Sequence, residues 1–139
     1  EHKLEIGART AEQIKISVGS AMRTRSKNIL VKGRDLVTGI PKTKDIRTDE
    51  IRQALKDPVK RILNVIKDAL EETPAELSSD IIDRGIVLAG GGSQLRGLDQ
   101  VLREKTNVPV NVADEPHLAI VKGCGAVIED LEKYKHVLL

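Results

Sequence analysis

Arg84 to Gly97 reads RGIVLAGGGSQLRG, in which the apolar run Gly85–Ala89 leads straight into three consecutive glycines. A short, continuously apolar run bounded by glycines predicts a strand covered on both faces. Ser93 to Thr106, with Leu95, Leu98, Val101 and Leu102 at helical spacing, predicts a helix directly after the glycines. Bare backbone between a strand and a helix N-terminus has two readings on spacing alone. It is a tight turn that needs small residues, or a surface that offers N–H groups to an anion and lies flat against a ring. The common phosphate templates fail. Leu95 stands where the dinucleotide fingerprint needs its third glycine, and Leu98 and Asp99 follow Gly97 where a P-loop carries lysine and Ser/Thr.

Downstream, VPVNV predicts a second short strand, and Pro116 a final helix running through Ala119, Val121, Ala126, Ile128 and Leu131. Upstream, TPAEL opens a short helix with Pro74 near its first position. From Ile81 the order is helix, strand, helix, strand, helix, which is an α/β layer. Thr48 begins an earlier helix with Asp49 and Glu50 in its first turn, where Pro58 is expected to break or kink the chain. Beyond it Val59, Ile62, Leu63, Ile66 and Leu70 form an apolar stripe.

The first 47 residues have a different texture. Leu4 and Ile6 read as the tail of a helix closed by Gly7. Thr10 and Gln13 read as a capping box opening a second helix, with Ile14, Val18 and Ala21 on its buried face and Gly19 near its end. NILVKGRD and KTKDIR flank LVTGIP as a two-stranded hairpin with Gly39 and Pro41 in its loop. Residues 1–47 are expected to form a separate lobe, with the boundary near Thr48. Glu12 and Lys15, three apart, share one helix face. They read either as a surface ion pair of little energetic weight or as a carboxylate for ribose hydroxyls beside a lysine that covers a purine.

Composition removes several classes. The chain has no Phe or Trp and a single Tyr, Tyr134, which argues against recognition by aromatic stacking. Its 23 basic and 21 acidic residues leave a net charge of +2, so no nucleic acid is implied. Lys27, Lys32, Arg34, Lys42, Lys44 and Arg47 are interleaved with Asp35 and Asp45, as on a solvated hairpin face. Cys124, the sole cysteine, suits a reducing cytosol and reads as a small packed residue between Gly123 and Gly125. His2, His117 and His136 lack metal-ligand spacing, and no run approaches the ~20 apolar residues of a membrane span. The chain begins at Glu1 without a signal peptide or methionine, and is expected to be a piece of a longer protein. It carries no convincing catalytic constellation of its own.

IGARTAEQIKISVGSA, VKGRDLVTGIPKT, TPAELSSDIIDRGIVLAGGGSQLRGLDQVL and VPVNVADEPHLAIVKGCGAVIEDL together resemble the C-terminal half of the MreB family, bacterial actin-like proteins that determine rod shape. The resemblance covers essentially all but the stretch Met22–Asn28, and its close paralogues are not distinguished. It implies the actin-like ATPase (ribonuclease H-like) α/β fold, with ATP in a cleft between two domains. Residues 1–47 would be part of subdomain IIB and residues 48–139 subdomain IIA. By this resemblance Gly90, Gly91, Gly92 and Ser93 form an adenosine-binding turn, and Thr10, Ala11, Glu12 and Lys15 match the helix over ribose and adenine. Ala8 departs from the family's usual acidic residue, and Ser93-Gln94 from its Ala-Leu. The phosphate loops, the magnesium ligands and the membrane-binding segment do not occur here. The resemblance therefore implies a parent that is a slow ATPase coupled to filament assembly, cytoplasmic at the inner membrane face. The 139 residues alone would be inactive and bind ATP weakly or not at all. It also implies a membrane-anchored morphogenetic partner docking on subdomain IIA. A sugar- or acetate-kinase-type enzyme of the same superfold is the alternative.

Overall fold

A computed structural model describes residues 2–137. The N-terminal part is a three-stranded antiparallel sheet with a helix beside it. Strand β1 (Leu4–Glu5) pairs with β2 (Asn28–Asp35), which pairs along its length with β3 (Pro41–Arg47). Helix α1 (Ala8–Val18) lies between β1 and β2 in sequence. The hairpin is the expected one, and its loop is fixed by Asp35, whose carboxylate accepts from the N–H of Val37 (2.8 Å) and Thr38 (3.3 Å). Pro41 starts β3 instead of sitting in the loop.

Three N-terminal expectations are corrected. Leu4 and Ile6 are two apart, which is the strand period as much as a helix remnant, and the residues around them pair with β2. Gly33 in β2 lets them approach, since a Cβ there would stand 2.3 Å from the Glu5 carbonyl. Gly7 is consequently the N-cap of α1, not the C-cap of a preceding helix, and no Thr10 side-chain cap forms. Gly19 closes α1 as expected, its N–H donating to the Lys15 carbonyl at 2.8 Å.

Helix α2 (Thr48–Glu72) runs unbroken through Pro58. Proline removes a single N–H donor, and burial of Val59 and packing of Leu63 and Ile66 against the core hold the helix across the gap. The α/β order then follows: α3 (Ala75–Arg84), β4 (Ile86–Leu88), a 3-10 turn (Gly91–Gln94), α4 (Leu98–Thr106), β5 (Val110–Val112) and α5 (Ala119–Glu129). Strands β4 and β5 are parallel, Val87 facing Asn111 in the register. Leu102 and Val110, both 0% exposed, centre a core completed by Val59 and Leu98.

Four further readings change. Strand β4 is covered on one face only, and Val87 stands 64% exposed on the other. The helix expected over 93–106 is two pieces, because Gly97 adopts φ +73 and resets the chain before α4. Pro116 precedes α5 through turn residues and does not start it. Cys124 is exposed rather than packed, as α5 buries none of its residues.

Candidate functional site

The glycine turn and α1 are joined by a specific tie. Ser20, buried just beyond α1, donates its hydroxyl to the Arg96 carbonyl (3.2 Å) and accepts from the Met22 N–H (3.2 Å). The Ala21 N–H donates to the same Arg96 carbonyl at 2.8 Å. The Arg96 guanidinium in turn donates to the Ser17 carbonyl. These bonds hold the end of α1 against the segment that follows the glycines, although some 70 residues separate them in the chain.

The result is a cleft of about 420 Å³ with Glu12, Lys15 and Ile16 of α1 on one wall. Gly91, Gly92 and Gln94 form another, and Leu55, Pro58 and Ile62 of α2 the floor. The Glu12 carboxylate and Lys15 ammonium are 2.7 Å apart and about half exposed, so their pairing adds little stability and leaves both groups accessible. An apolar floor with the Glu12–Lys15 pair and Arg96 at its edge suits a flat, partly polar ligand.

The three glycines have different reasons to be glycine. Gly90 has φ +83, which L side chains rarely adopt, and its N–H is committed to the Pro116 carbonyl at 2.6 Å. Gly91 and Gly92 lie outside the left-handed region, and a Cβ built on either meets nothing within 4 Å. The turn geometry requires the first glycine but not the second or third. Those two open the 3-10 turn, whose first N–H groups have no carbonyl partner within it.

The structure brings together Glu12, Lys15, Gly91 and Gly92 out of the eight expected positions. Ser93 is turned inward, its hydroxyl donating to the Gly90 carbonyl at 2.7 Å, so its side chain closes the turn. Gly90 shapes the turn without lining the cleft, and Thr10 lines no wall of it. Ala11 faces a neighbouring, largely apolar cleft of about 770 Å³ between α1, α2 and the N-terminal sheet, which meets the first along Glu12, Lys15 and Leu55. Leu55, Pro58, Ile62 and Arg96 were not anticipated. Ile62 had a signal, since it lies at the edge of the α2 apolar stripe and remains partly exposed.

Carboxylates pulled below their ordinary values stand outside the smaller cleft. The Lys42 ammonium, 2.5 Å away, and then the Val37 and Thr38 N–H groups lower Asp35 to about 2. Asp49 is lowered by the Ser26 hydroxyl and then by Arg47. Glu50 is lowered by the Arg47 N–H and then by His2, whose ring nitrogen lies 2.6 Å from its carboxylate. Their work is structural, at the hairpin and at the start of α2.

A family model described as MreB/Mbl protein matches residues 1–136. The chain belongs to the MreB/Mbl family. It is 45% identical over 134 residues to the cell shape-determining protein Mbl of Bacillus subtilis, covering 96% of this chain and 40% of that protein. It is 42% identical over 130 residues to the cell shape-determining protein MreB of Escherichia coli K12, covering 93% and 38%. The chain thus spans about two fifths of the length of the curated relatives it matches. The crystal structure of MreB5 of Spiroplasma citri bound to ADP has the same fold, with a TM-score of 0.89 and 30% identity over 98% of this chain and 42% of that one. The mixed α/β architecture is accordingly part of the actin-like fold. No described helix is long and apolar enough to cross a membrane.

Proposed function

We propose that this chain is the adenosine-side half of the nucleotide cleft of an actin-like filament protein that determines cell shape. One observation carries the site: Gly91 and Gly92, which the chain's own packing does not require, face Glu12 and Lys15 across one cleft. In this reading the ring of the adenosine lies along the bare backbone and the apolar floor. Glu12 accepts from the ribose hydroxyls and Lys15 covers the purine edge. Thr10, Ala11, Gly90 and Ser93 act on this site by placing α1 and the turn. The similarity to MreB5, solved with ADP and with AMPPNP, supports nucleotide as the ligand. No observation favours the kinase alternative.

Residues 1–47 belong to subdomain IIB and residues 48–139 to subdomain IIA in this proposal. Phosphate grip, magnesium and the attacking water are assigned to parts of the parent beyond these 139 residues. They would supply the slow ATPase, while this half holds the nucleoside. Self-association into filaments at the inner membrane face, and a membrane-anchored morphogenetic partner on subdomain IIA, complete the reading.

The test is an ATP titration and a sedimentation assay, with magnesium, on the full-length protein and its Gly92→Val variant. A Cβ at Gly92 meets nothing within 4 Å, so melting should change little while ATP affinity falls at least about tenfold, as a filled cavity excludes its ligand. Pelleting with ATP should be lost in parallel. Unaltered affinity would remove the glycine turn from the site. A protein that never pellets yet phosphorylates a small molecule would overturn the filament reading.

A further inference from the structure

A further pocket, polar and of about 720 Å³, lies where the Met22–Lys27 loop meets the start of α2. Its lining is Arg23, Thr24, Arg25 and Ser26 from the loop with Arg47, Asp49, Arg52 and Gln53 from the helix start. Four guanidiniums face a single carboxylate. That carboxylate is already engaged, Asp49 accepting from the Ser26 hydroxyl (2.7 Å) and from Arg47 (3.0 Å). Arg23, Arg25 and Arg52 have no carboxylate partner among the described residues. Three unpaired like charges around one concavity repel one another, and the arrangement is relieved by an anion between them.

The pocket is held in shape before any ligand arrives. The Lys27 N–H donates to the buried Thr48 hydroxyl (3.1 Å), and the Thr48 N–H donates to the Lys27 carbonyl (2.9 Å). The loop is thereby pinned to the first residue of α2, whose N-terminal end adds a favourable dipole for negative charge. No aromatic or aliphatic side chain lines the pocket, so no ring is gripped there. The guanidiniums come from two separate segments, the loop and the start of α2. A tetrahedral phosphate accepts forks from several directions, whereas a planar carboxylate accepts along one edge. The volume exceeds that of a single phosphate group.

We infer that this arginine pocket binds a small soluble anion carrying two or more linked phosphate groups, at a site separate from the adenosine cleft. The probe is pyrophosphate, titrated calorimetrically into the full 139-residue chain at low and at moderate salt. Saturable one-site binding is expected, weakening several-fold with salt as screened charge pairs do. The double variant Arg23→Ala/Arg25→Ala should bind at least tenfold more weakly, and Arg52→Gln, on the helix side, several-fold more weakly, with circular dichroism confirming the fold. Lys32→Ala/Lys44→Ala removes the same charge from the hairpin and should stay within twofold of the original. Absence of saturable binding overturns the inference, as does an equal loss in the lysine variant, which would mean net charge alone. Binding to phosphatidylglycerol vesicles without pyrophosphate binding would assign the surface to a membrane and overturn it too, and so would a hexaglutamate peptide that binds as tightly as pyrophosphate.

Discussion

Helices α4 and α5 both carry aliphatic residues at helical spacing, and the fold treats them in opposite ways. Leu98 and Leu102 of α4 are buried against β5 and α2, with Val59 and Val110 closing the cluster. Helix α5 is the more apolar of the two, yet Ile120, Val121 and Ile128 all lie exposed. The difference lies in what surrounds each helix. Helix α4 packs against both β5 and α2, while α5 half-buries only Ala119 and Gly125–Val127 and buries none of its larger aliphatic residues fully. Periodicity identifies a face that would gain from burial, and only tertiary partners convert that into stability.

Leu102→Ala should have the largest effect on the buried helix. With Leu102 fully buried, the loss should be about 2–5 kcal/mol, read from urea unfolding of the chain. A loss below about 1 kcal/mol would mean that the α4–β5 cluster is not the core. Gly97→Ala, at the entry to α4, should follow at about 1–2 kcal/mol, because φ +73 is unfavourable for an L residue. The new Cβ would also stand 2.7 Å from Met22 Cγ. A paired Met22→Ala should restore the part due to contact and leave the backbone part. Thermal melts of the single and double variants separate the two.

The sequence carried more of the fold's order than of its coverage. The hairpin was legible because strand composition and turn residues act locally, and the α2 stripe because its periodicity from Val59 to Leu70 lies wholly beyond Pro58, where the sequence pointed to a break that the helix does not make. The N-terminal strand was hidden, since Leu4 and Ile6 acquire meaning only from Arg34 and Asp35 some 30 residues away. Exposure of Val87 and Cys124 was hidden for the reason that separates α4 from α5. At the site, Glu12, Lys15, Gly91 and Gly92 were individually weak signals that resemblance linked and the Ser20–Arg96 tie brings to one cleft. The inward turn of Ser93 was not legible, because a serine after glycines can face either way until the Gly90 carbonyl is placed.

The hairpin offers a milder contrast, governed by charge instead of burial. Asp35 titrates at about 2 in the folded chain against an ordinary 3.8. Folding therefore favours its charged form, and the resulting stabilisation is complete above about pH 4 and disappears as pH falls toward 2. Asp49 and Glu50 are lowered in the same direction. Asp35→Asn should flatten the fall of the urea midpoint between pH 4 and 2 without altering its slope above pH 5. A variant whose midpoint still falls as steeply would remove the Lys42 and loop N–H contacts from the hairpin's stability.

The smallest effect is expected where periodicity alone would place a large one. Ile128 is 73% exposed on α5, and isoleucine and serine have similar helix propensities, so Ile128→Ser reads burial with little else mixed in. In this chain it should change stability by less than about 0.5 kcal/mol. A cost approaching that of Leu102→Ala, measured in the same urea titration, would show α5 packed in solution and erase the contrast between the helices. A negligible cost in the 139-residue chain, set beside a clear loss for the same substitution in the full-length parent, would show that the parent supplies the surface α5 lacks here.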